Sequence, residues 1–303
     1  MGPTASGKTD LAIELCRRLP GEVVSVDSAL VYRGMDIGTA KPTPAQRACV
    51  PHHMIDIVDP AERYSVGQYL TDAGHVVEEI VARGRIPLLV GGTMLYFRAL
   101  QHGLADLPNA DEAVRARLDE EARQACWPAL HGRLARLDPE SAARIHPNDA
   151  QRIQRALEVH ELTGVPLSQL LSQRHGQALP CSVAKIVIAP SDRAFLHRVI
   201  EQRLNTMLAQ GFVDEVSALR ERADMTPELP SMRAVGYRQV WQYLDGECDY
   251  GEMTRRAVVA TRRYAKRQLT WLRAESDAVR FDSNSPNLLG EVLKYAVSAL
   301  NLV

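Results

Sequence analysis

The chain has 303 residues, of which 46% are hydrophobic and 24% are charged, which is typical of a globular protein and unlike disordered, collagen-like or coiled-coil chains. Its 36 basic and 37 acidic residues give a formal net charge of −1, so no overall positive field indicates a nucleic acid or an anionic membrane as partner. Arginine is abundant, with 31 arginines against 5 lysines, but single-residue usage by itself indicates composition and not function.

The sequence contains no signal for export or membrane insertion. No basic segment followed by an apolar one opens the chain, and no apolar run approaches the roughly 18 residues of a spanning helix. The five cysteines lie dozens of residues apart, with no CxxC pair and no histidine placed to complete a zinc site. We therefore expect a cytoplasmic protein with reduced cysteines and no membrane partner.

The first chemical motif is GPTASGKT at residues 2–9, which matches the phosphate-loop pattern G-x-x-x-x-G-K-[ST] and runs directly into an amphipathic segment. Its glycines let successive N–H groups and a helix N-terminus point at phosphate oxygens. Lys8 would neutralise the terminal phosphates, and the Thr9 hydroxyl would bind Mg²⁺. The alternative is a glycine-rich turn that only begins a helix. A phosphate loop ordinarily follows a buried strand, whereas only Met1 precedes this one, so we expect an upstream truncation or a replacement strand from elsewhere.

The remaining elements predict an α/β fold: a P-loop NTPase-like parallel sheet flanked by helices, with an all-helical insertion domain. The predicted strands are 23–26, 54–58, 86–90, 183–188 and 279–281. The predicted helices are about 65–83, 93–102, 192–210, 212–223, 232–244, 251–273 and 287–301. Consecutive helices broken by prolines occupy residues 111 to about 173. The predicted domains are a core of residues 1–110 and 182–303, and a helical insertion of residues 111–181.

Polar side chains follow two of the predicted strands. In a parallel sheet the ligand lies beyond the carboxyl ends of the strands, so Asp27 and Thr93 are expected to face the phosphate loop. The alternatives are that Asp27 caps the next turn and that Thr93 is the N-cap of the following helix, which is compatible with a role in the site. Lys41 lies in a polar loop after the first strand, either as a phosphate ligand or as ordinary surface.

The predicted helix 251–273 carries a basic face. With 100° per residue, seven cations fall on one side of the helix, and no acid lies between Thr254 and Arg273. These cations, which we call the basic face, are Arg255, Arg256, Arg262, Arg263, Lys266, Arg267 and Arg273. The segment thus carries +7 while the rest of the chain sums to −8. A solvated face usually interleaves glutamates, so this pattern favours a polyphosphate partner, with a plain solvated face as the alternative.

A second polar helix face is predicted within residues 149–163. Gln151, Gln154, Arg155 and Glu158 lie on one side, and Ile153 lies on the other. Glutamine and arginine are residues that hydrogen-bond base edges, although a polar exposed face would look the same.

These motifs together resemble the bacterial tRNA dimethylallyltransferases, also called tRNA isopentenyltransferases. The matching segments run in the family's order: GPTASGKT (2–9), VDSALVYRGMDIGTAKP (26–42), LLVGGTMLY (88–96), HPNDAQRIQRALEV (146–159), MRAVGYRQVW (232–241) and TRRYAKRQLTWLR (261–273). The resemblance implies transfer of a dimethylallyl group from dimethylallyl diphosphate to the N6 amine of the adenosine 3′ of the anticodon. No Cys/His set matches the zinc finger of eukaryotic members, so the bacterial form is indicated.

The resemblance also implies roles for residues. Asp27 would be the catalytic base, assisted by Thr93 and Lys8. The diphosphate ligands would be Gly2, Pro3, Thr4, Ala5, Ser6, Gly7, Lys8, Thr9 and Arg203, with Mg²⁺ as cofactor on Thr9. The contacts with the tRNA anticodon stem-loop would be Asp27, Ser28, Ala29, Leu30, Thr93, Arg115, Gln151, Arg152, Ile153, Gln154, Arg155, Arg233, Ala234, Val235, Gly236, Tyr237, Arg238, Lys266, Arg267, Gln268, Leu269, Thr270, Trp271, Leu272 and Arg273. A monomer is expected.

Three other functions fit parts of the sequence. A P-loop kinase of a small molecule would use Asp56 or Asp59 to help hold Mg²⁺, but it needs neither the basic face nor the helical insertion. A nucleotide-gated RNA-binding protein without catalysis would leave Asp27 dispensable. Transfer to a free adenine nucleotide would keep the chemistry but would not need the basic face.

Overall fold

The computed structural model describes residues 1–172 and 183–301, so the predicted end of the helical insertion lies partly outside the described residues. The architecture is mixed α/β with parallel sheets flanked by helices, as the sequence predicts. The chain divides into two compact units, one of Met1–Leu100 with Cys181–Val303 and one of Gln101–Pro180. Within the described residues, no helix is both long and apolar enough to cross a membrane.

The elements are numbered in chain order. The strands are β1 (Gly21–Val26), β2 (His52–His53), β3 (Ile86–Gly91), β4 (Ile186–Ala189) and β5 (Val279–Asp282). The helices up to the middle of the chain are α1 (Lys8–Arg18), α2 (Pro44–Cys49), α3 (Val66–Ala82), α4 (Met94–His102), α5 (Glu112–Ala125), α6 (Trp127–Leu137), α7 (Pro139–Arg144), α8 (Ala150–Thr163) and α9 (Leu167–Ser172). The later helices are α10 (Arg193–Ala209), α11 (Phe212–Arg220), α12 (Tyr237–Leu244), α13 (Tyr250–Arg273) and α14 (Leu288–Ala299).

The first sheet has the parallel order β2-β1-β3. All six residues of β1 are buried, because α1 packs on one side and α3 on the other, the arrangement that favours valine-rich strands. In the register of this sheet Val26 is the partner of Gly91. The ends of β1 and β3 therefore coincide, and the residues that follow them, Asp27 and Thr93, emerge at the same edge.

The second sheet is the parallel pair β4 and β5. The sequence predicts that the strand near 183–188 joins the first sheet, and for the described residues this is wrong, because β4 hydrogen-bonds only to β5 and to Met1. The Met1 ammonium donates to the Ile186 carbonyl at 2.8 Å, and the Ile188 N–H donates to the Met1 carbonyl at 2.9 Å. Met1 thus lies along β4, directly before the phosphate loop.

Two other predicted elements differ from the structure. The predicted strand 54–58 is absent, because Met54 and Asp56 adopt positive φ angles of 61° and 57° that an extended strand cannot contain. Only Val58 keeps a parallel bridge, to Tyr32. The predicted helix 232–244 begins only at Tyr237, as α12.

The second unit contains α5 to α9 and has a core of its own. Leu118, Leu134, Ile153 and Leu157 are fully buried there and pack against one another. A separate apolar core is the physical basis for a compact helical unit.

Lys41 forms a buried ionic contact that the sequence did not predict. Its side chain is 2% exposed, and its ammonium lies 2.7 Å from an Asp36 carboxylate oxygen and 2.5 Å from one of Asp56. The ammonium also donates to the Tyr32 carbonyl at 2.8 Å. Lys41 is therefore neither free surface nor an unpaired phosphate ligand, and it closes the loop between β1 and α2.

Lys41→Met is expected to lower the free energy of unfolding by about 1–2 kcal/mol, because it leaves the Tyr32 carbonyl without its donor and removes the cation between Asp36 and Asp56. Asp56 keeps its 2.6 Å contact with Arg47, and the Asp36 side chain is 62% exposed, so neither carboxylate is left buried without a partner. Urea unfolding is the measurement, with Lys294→Met, an exposed lysine of α14, as control within about 0.5 kcal/mol of wild type. Equal effects of the two substitutions would refute a structural role for Lys41.

Candidate active site

The phosphate loop of residues 2–9 forms an anion-binding turn before α1. Ala5 and Gly7 have positive φ angles of 63° and 72°, and such left-handed residues turn consecutive N–H groups toward one point. The Ser6 hydroxyl donates to the Pro3 carbonyl at 2.9 Å and closes the loop on itself. Because α1 begins at Lys8, its N-terminal N–H groups face the same space.

Lys8 supplies a positive charge to this loop. Its ammonium hydrogen-bonds the Pro3 carbonyl and the Ser6 hydroxyl, and no described carboxylate lies within 4.0 Å of it. Burial lowers the pKa of Lys8 to about 7, which the Asp27 charge opposes and the Arg203 charge reinforces. The lysine is therefore under-compensated, and a bound anion would restore its charged form.

Asp27 directly follows β1 and points into the space beside the loop. Its Oδ1 accepts a hydrogen bond from the Ala29 N–H at 2.9 Å, which fixes the carboxylate. Burial raises the pKa of Asp27, while the nearby charges of Lys8 and Arg203 oppose that rise. A held carboxylate with a raised pKa beside a cavity is a candidate general base.

Thr93 connects the ends of β1 and β3. Its hydroxyl accepts a hydrogen bond from the Ser28 N–H at 3.0 Å and lies 3.4 Å from the Ser28 hydroxyl. The Thr93 N–H donates to the Val26 carbonyl at 3.2 Å. The threonine side chain thus bonds Ser28, the residue after Asp27, and it lies at the end of β1 without lining the space beside the phosphate loop.

Two cavities meet at Asp27. The first, of about 560 Å³, is lined by the phosphate loop, including Lys8 and Thr9, and by residues 36, 37 and 39–42. The second, of about 380 Å³, opens between the loop after β1, α10 and residues 233–237. The residues that line both cavities are Thr4, Asp27, Thr39, Arg203, Met207 and Tyr264. A carboxylate and an arginine therefore lie where an anion site adjoins a second binding space.

Gln268 is a site residue whose role the sequence did not reveal. It is 3% exposed, its Oε1 accepts from the Thr4 N–H at 2.9 Å, and its Nε2 donates to the Gly92 carbonyl at 2.8 Å. A Cβ on Gly92 would lie 2.2 Å from that Nε2, so the turn and the amide are in direct contact. On the helical wheel Gln268 falls at about 220° from Arg255, outside the basic face. This angle was the one feature of the sequence that could have predicted a buried position for Gln268.

Gln268→Leu is expected to weaken the binding of Mg²⁺-diphosphate about 10-fold, because it leaves the Thr4 N–H and the Gly92 carbonyl without partners beneath the phosphate loop. Isothermal titration calorimetry measures this affinity. The matched control is Gln202→Leu, an exposed glutamine of α10 whose side chain makes no described contact with the site. Unchanged affinity in Gln268→Leu would show that the bridge does not shape the loop.

The basic face of α13 is partly neutralised within the protein. Glu252, which lies before the segment counted in the sequence, bonds Arg255 and Arg256 at 2.7 Å each, and Glu201 lies 2.9 Å from Arg262. The remaining cations have no described carboxylate within 4.0 Å and are exposed; they are Arg263, Lys266, Arg267 and Arg273. The buried face of α13 includes Met253, Ala257 and Gln268.

The predicted contacts near 233–238 border the second cavity. Arg233 and Arg238 are exposed, whereas Tyr237 is fully buried and its hydroxyl donates to Glu215. Leu272 on α13 is also fully buried. The side chains of Tyr237, Leu272 and Gln268 thus contact protein.

The predicted contacts Arg115 and Gln151–Arg155 lie in the helical unit. Glu158, expected on an exposed face, is instead fully buried, and it accepts hydrogen bonds from Arg115 at 2.8 and 3.0 Å and from Arg155 at 2.7 Å. Burial alone would raise the pKa of Glu158, but the two arginines bring it below its ordinary value. Ile153 is fully buried, while Gln151 and Arg152 are exposed.

The residues present fit a Mg²⁺ ion that is held largely by its substrate. Thr9 and Asp10 line the first cavity next to the loop. The described residues contain no group of three His, Cys, Asp or Glu side chains placed to hold a metal. Mg²⁺ commonly keeps several waters and binds through phosphates with one or two protein oxygens, so the Thr9 hydroxyl beside a diphosphate is a suitable donor.

The carboxylates proposed for a kinase are already matched to cations. Asp56 contacts Lys41 and Arg47, and Asp59 lies 2.7 Å from Arg222. Neither carboxylate lines the first or the second cavity. This arrangement speaks against the kinase alternative.

The known proteins that are similar to this chain are tRNA-modifying transferases. Residues 30–275 match the sequence profile of the family described as IPP transferase. A tRNA dimethylallyltransferase of Halorhodospira halophila is 58% identical over 99% of this chain and 96% of the relative, and one of Alkalilimnicola ehrlichii is 62% identical over 91% and 86%. The full-length tRNA isopentenylpyrophosphate transferase of Bacillus halodurans has a TM-score of 0.73 at 38% identity, covering 99% of this chain and 95% of that one. A eukaryotic dimethylallyltransferase acting on tRNA has a TM-score of 0.80 at 26% identity, covering 98% and 77%.

Proposed function

This chain belongs to the IPP transferase family, and on that premise we propose that it transfers a dimethylallyl group from dimethylallyl diphosphate to tRNA. The acceptor we propose is the N6 amine of the adenosine 3′ of the anticodon. The observation that carries the proposal is the position of Asp27, which lies between the phosphate loop of the first cavity and the second cavity. A base at this junction can take a proton from an acceptor in the second cavity while the donor is held next to it in the first.

The donor half of the reaction rests on the first cavity. As the allylic C–O bond breaks, negative charge develops on the departing diphosphate. The loop N–H groups, the Lys8 ammonium and the Arg203 guanidinium are aimed at that charge and would stabilise it. Mg²⁺ on the Thr9 hydroxyl, when bound, would supply further neutralisation of the diphosphate.

The acceptor half rests on Asp27. An adenine amine is a poor nucleophile because its lone pair is delocalised into the ring, so removal of its proton assists attack. The C–N bond forms as the C–O bond breaks, and the N6 proton passes to the Asp27 carboxylate. The target base must leave its stack to enter the second cavity, at a cost of about a few kcal/mol that a loop position lowers. Thr93 and Ser28 would position it beside the carboxylate.

Binding of the tRNA backbone is proposed for the exposed cations alone. Arg263, Lys266, Arg267 and Arg273 keep unpaired charge on α13, and arginine pairs with phosphate oxygens in a bidentate manner. Arg233 at the second cavity and Arg152 in the helical unit are further exposed candidates. Buried members of the predicted set would act by shaping the surface.

The test is incubation of the protein with unmodified tRNA and labelled dimethylallyl diphosphate, with and without Mg²⁺. We expect label in RNA only when donor and Mg²⁺ are both present, recovered after digestion as N6-alkylated adenosine, and lost when that adenosine is replaced by guanosine. A parallel reaction offers AMP as acceptor. Turnover of ATP without labelled RNA, or labelling of AMP in preference to tRNA, would overturn the proposal.

A further inference from the structure

The segment Asp36–Gly38 is held by one carboxylate from a distant helix. Glu215, in the first turn of α11, accepts hydrogen bonds from the N–H groups of Asp36 at 2.9 Å, Ile37 at 2.7 Å and Gly38 at 3.1 Å. Its Oε1 also accepts from the Tyr237 hydroxyl at 2.5 Å. Hydrogen bonds to a carboxylate are stronger than those between neutral groups, so four of them on one side chain fix this segment firmly.

The same segment packs tightly against aromatic rings. A Cβ on Gly38 would lie 2.1 Å from Phe212 Cε2 and 2.6 Å from Tyr237 Cε2, so the backbone touches both rings. Phe212 and Tyr237 meet edge to face with ring centroids 5.1 Å apart. Only a backbone without a side chain can approach this pair closely enough for its N–H to reach Glu215.

Glu215 lies behind the site and does not line it. Asp36, Ile37 and Thr39 form part of the wall of the first cavity, and Gly38 and Thr39 line the second. Glu215 lines neither cavity, and the mechanism proposed above gives it no role. Its effect on the reaction therefore passes through the groups that it holds, which are the segment Asp36–Gly38 and the Tyr237 hydroxyl.

We propose that Glu215 is a positioning residue that sets the shape of the donor cavity, and with it the affinity and chain length of the allylic diphosphate that is accepted. This inference rests on the proposed function, because the cavity must hold an allylic donor. Ile37 is the apolar residue of the held segment in the first cavity. Release of its backbone would loosen the wall against which a short allyl group packs, without touching Lys8, Asp27 or the exposed cations.

The test compares Glu215→Gln with Asp214→Asn. Both remove one negative charge from the first turn of α11, but Asp214 is exposed and bonds none of the held N–H groups. For Glu215→Gln we expect the KM for dimethylallyl diphosphate to rise about 10-fold and the Tm to fall modestly, while kcat and the KM for tRNA stay near those of the control. Geranyl diphosphate should become a better donor relative to dimethylallyl diphosphate.

Two results would overturn this inference. One is a donor KM and a donor selectivity equal to those of Asp214→Asn. The other is a fall in kcat together with a rise in the KM values for both substrates, in proportion to a large fall in Tm. If Glu215→Gln does not fold, Glu215→Asp, which keeps the charge but is shorter, is compared with the wild-type protein in the same measurements. Calorimetric binding of dimethylallyl diphosphate is measured in parallel. Wild-type protein that binds this donor but labels no tRNA would count against the proposed function, whereas equal donor binding by the variant and the control would count against Glu215.

Discussion

Asp27→Asn is expected to slow prenyl transfer by roughly 100-fold or more, the usual scale for loss of a general base, while tRNA binding changes by no more than a few-fold. Asparagine keeps the shape of the side chain and an oxygen that can accept from the Ala29 N–H, but it cannot take the amine proton. Single-turnover transfer and filter binding of tRNA separate the two effects. A parallel loss of rate and binding would make Asp27 a binding or structural residue.

The same carboxylate predicts a pH dependence. Burial raises the pKa of Asp27, so its protonated, inactive form persists to higher pH than for an ordinary aspartate. The transfer rate should therefore fall as the pH drops through this raised value, and the Asn variant should lack that limb of the profile. An acid limb of equal shape in both proteins would assign it to another group.

Lys8→Met is expected to raise the KM for dimethylallyl diphosphate at least about 100-fold and to lower kcat as well, because the lost ammonium stabilises the departing diphosphate more than the bound substrate. Binding of tRNA should be unchanged. Steady-state transfer kinetics at saturating tRNA provide the measurement, and Lys294→Met on the exposed face of α14 is the control for removal of one lysine. Wild-type kcat in Lys8→Met would confine Lys8 to ground-state binding.

Lys8 also gives diphosphate binding a pH dependence of opposite sign. Burial lowers the pKa of Lys8 to about 7, so above pH 7 the free protein carries it mostly neutral, and an anion must recharge it on binding. Affinity for Mg²⁺-diphosphate should weaken by up to about 10-fold per pH unit above 7, with uptake of about one proton at pH 8. Calorimetry in buffers of different ionisation enthalpy measures that proton. Binding without proton uptake would contradict the assignment.

The chemistry at the sheet edge was predictable because it depends on local rules. A phosphate loop has a fixed spacing around Lys8, and residues after parallel strands share one edge, which places Asp27 and Thr93 at the same edge of the sheet. Both rules need only the order of residues along the chain. The α/β class was predictable for a similar reason, because the alternation of apolar and amphipathic segments along the chain is enough to indicate it.

The supports of the site were not predictable, because they join residues far apart in sequence. Glu215 reaches residues 36–38 across about 180 positions, and no periodicity encodes that contact. The apolar run at 54–58 has the pattern of a strand. In the structure, however, Asp56 forms an ion pair with Lys41, and Met54 and Asp56 adopt left-handed backbone angles. Gln268 was grouped with its cationic neighbours, although its amide faces the protein interior.

The contact between Gly92 and Gln268 links two positions that are 176 residues apart. Any side chain at position 92 would collide with the amide, and any shorter side chain at position 268 would release the Thr4 N–H. A side chain at position 92 would therefore displace the amide from its two hydrogen bonds, so each of the two positions constrains the other. We expect natural variants of this chain to diverge in the walls of its cavities while this pair is inherited as a unit.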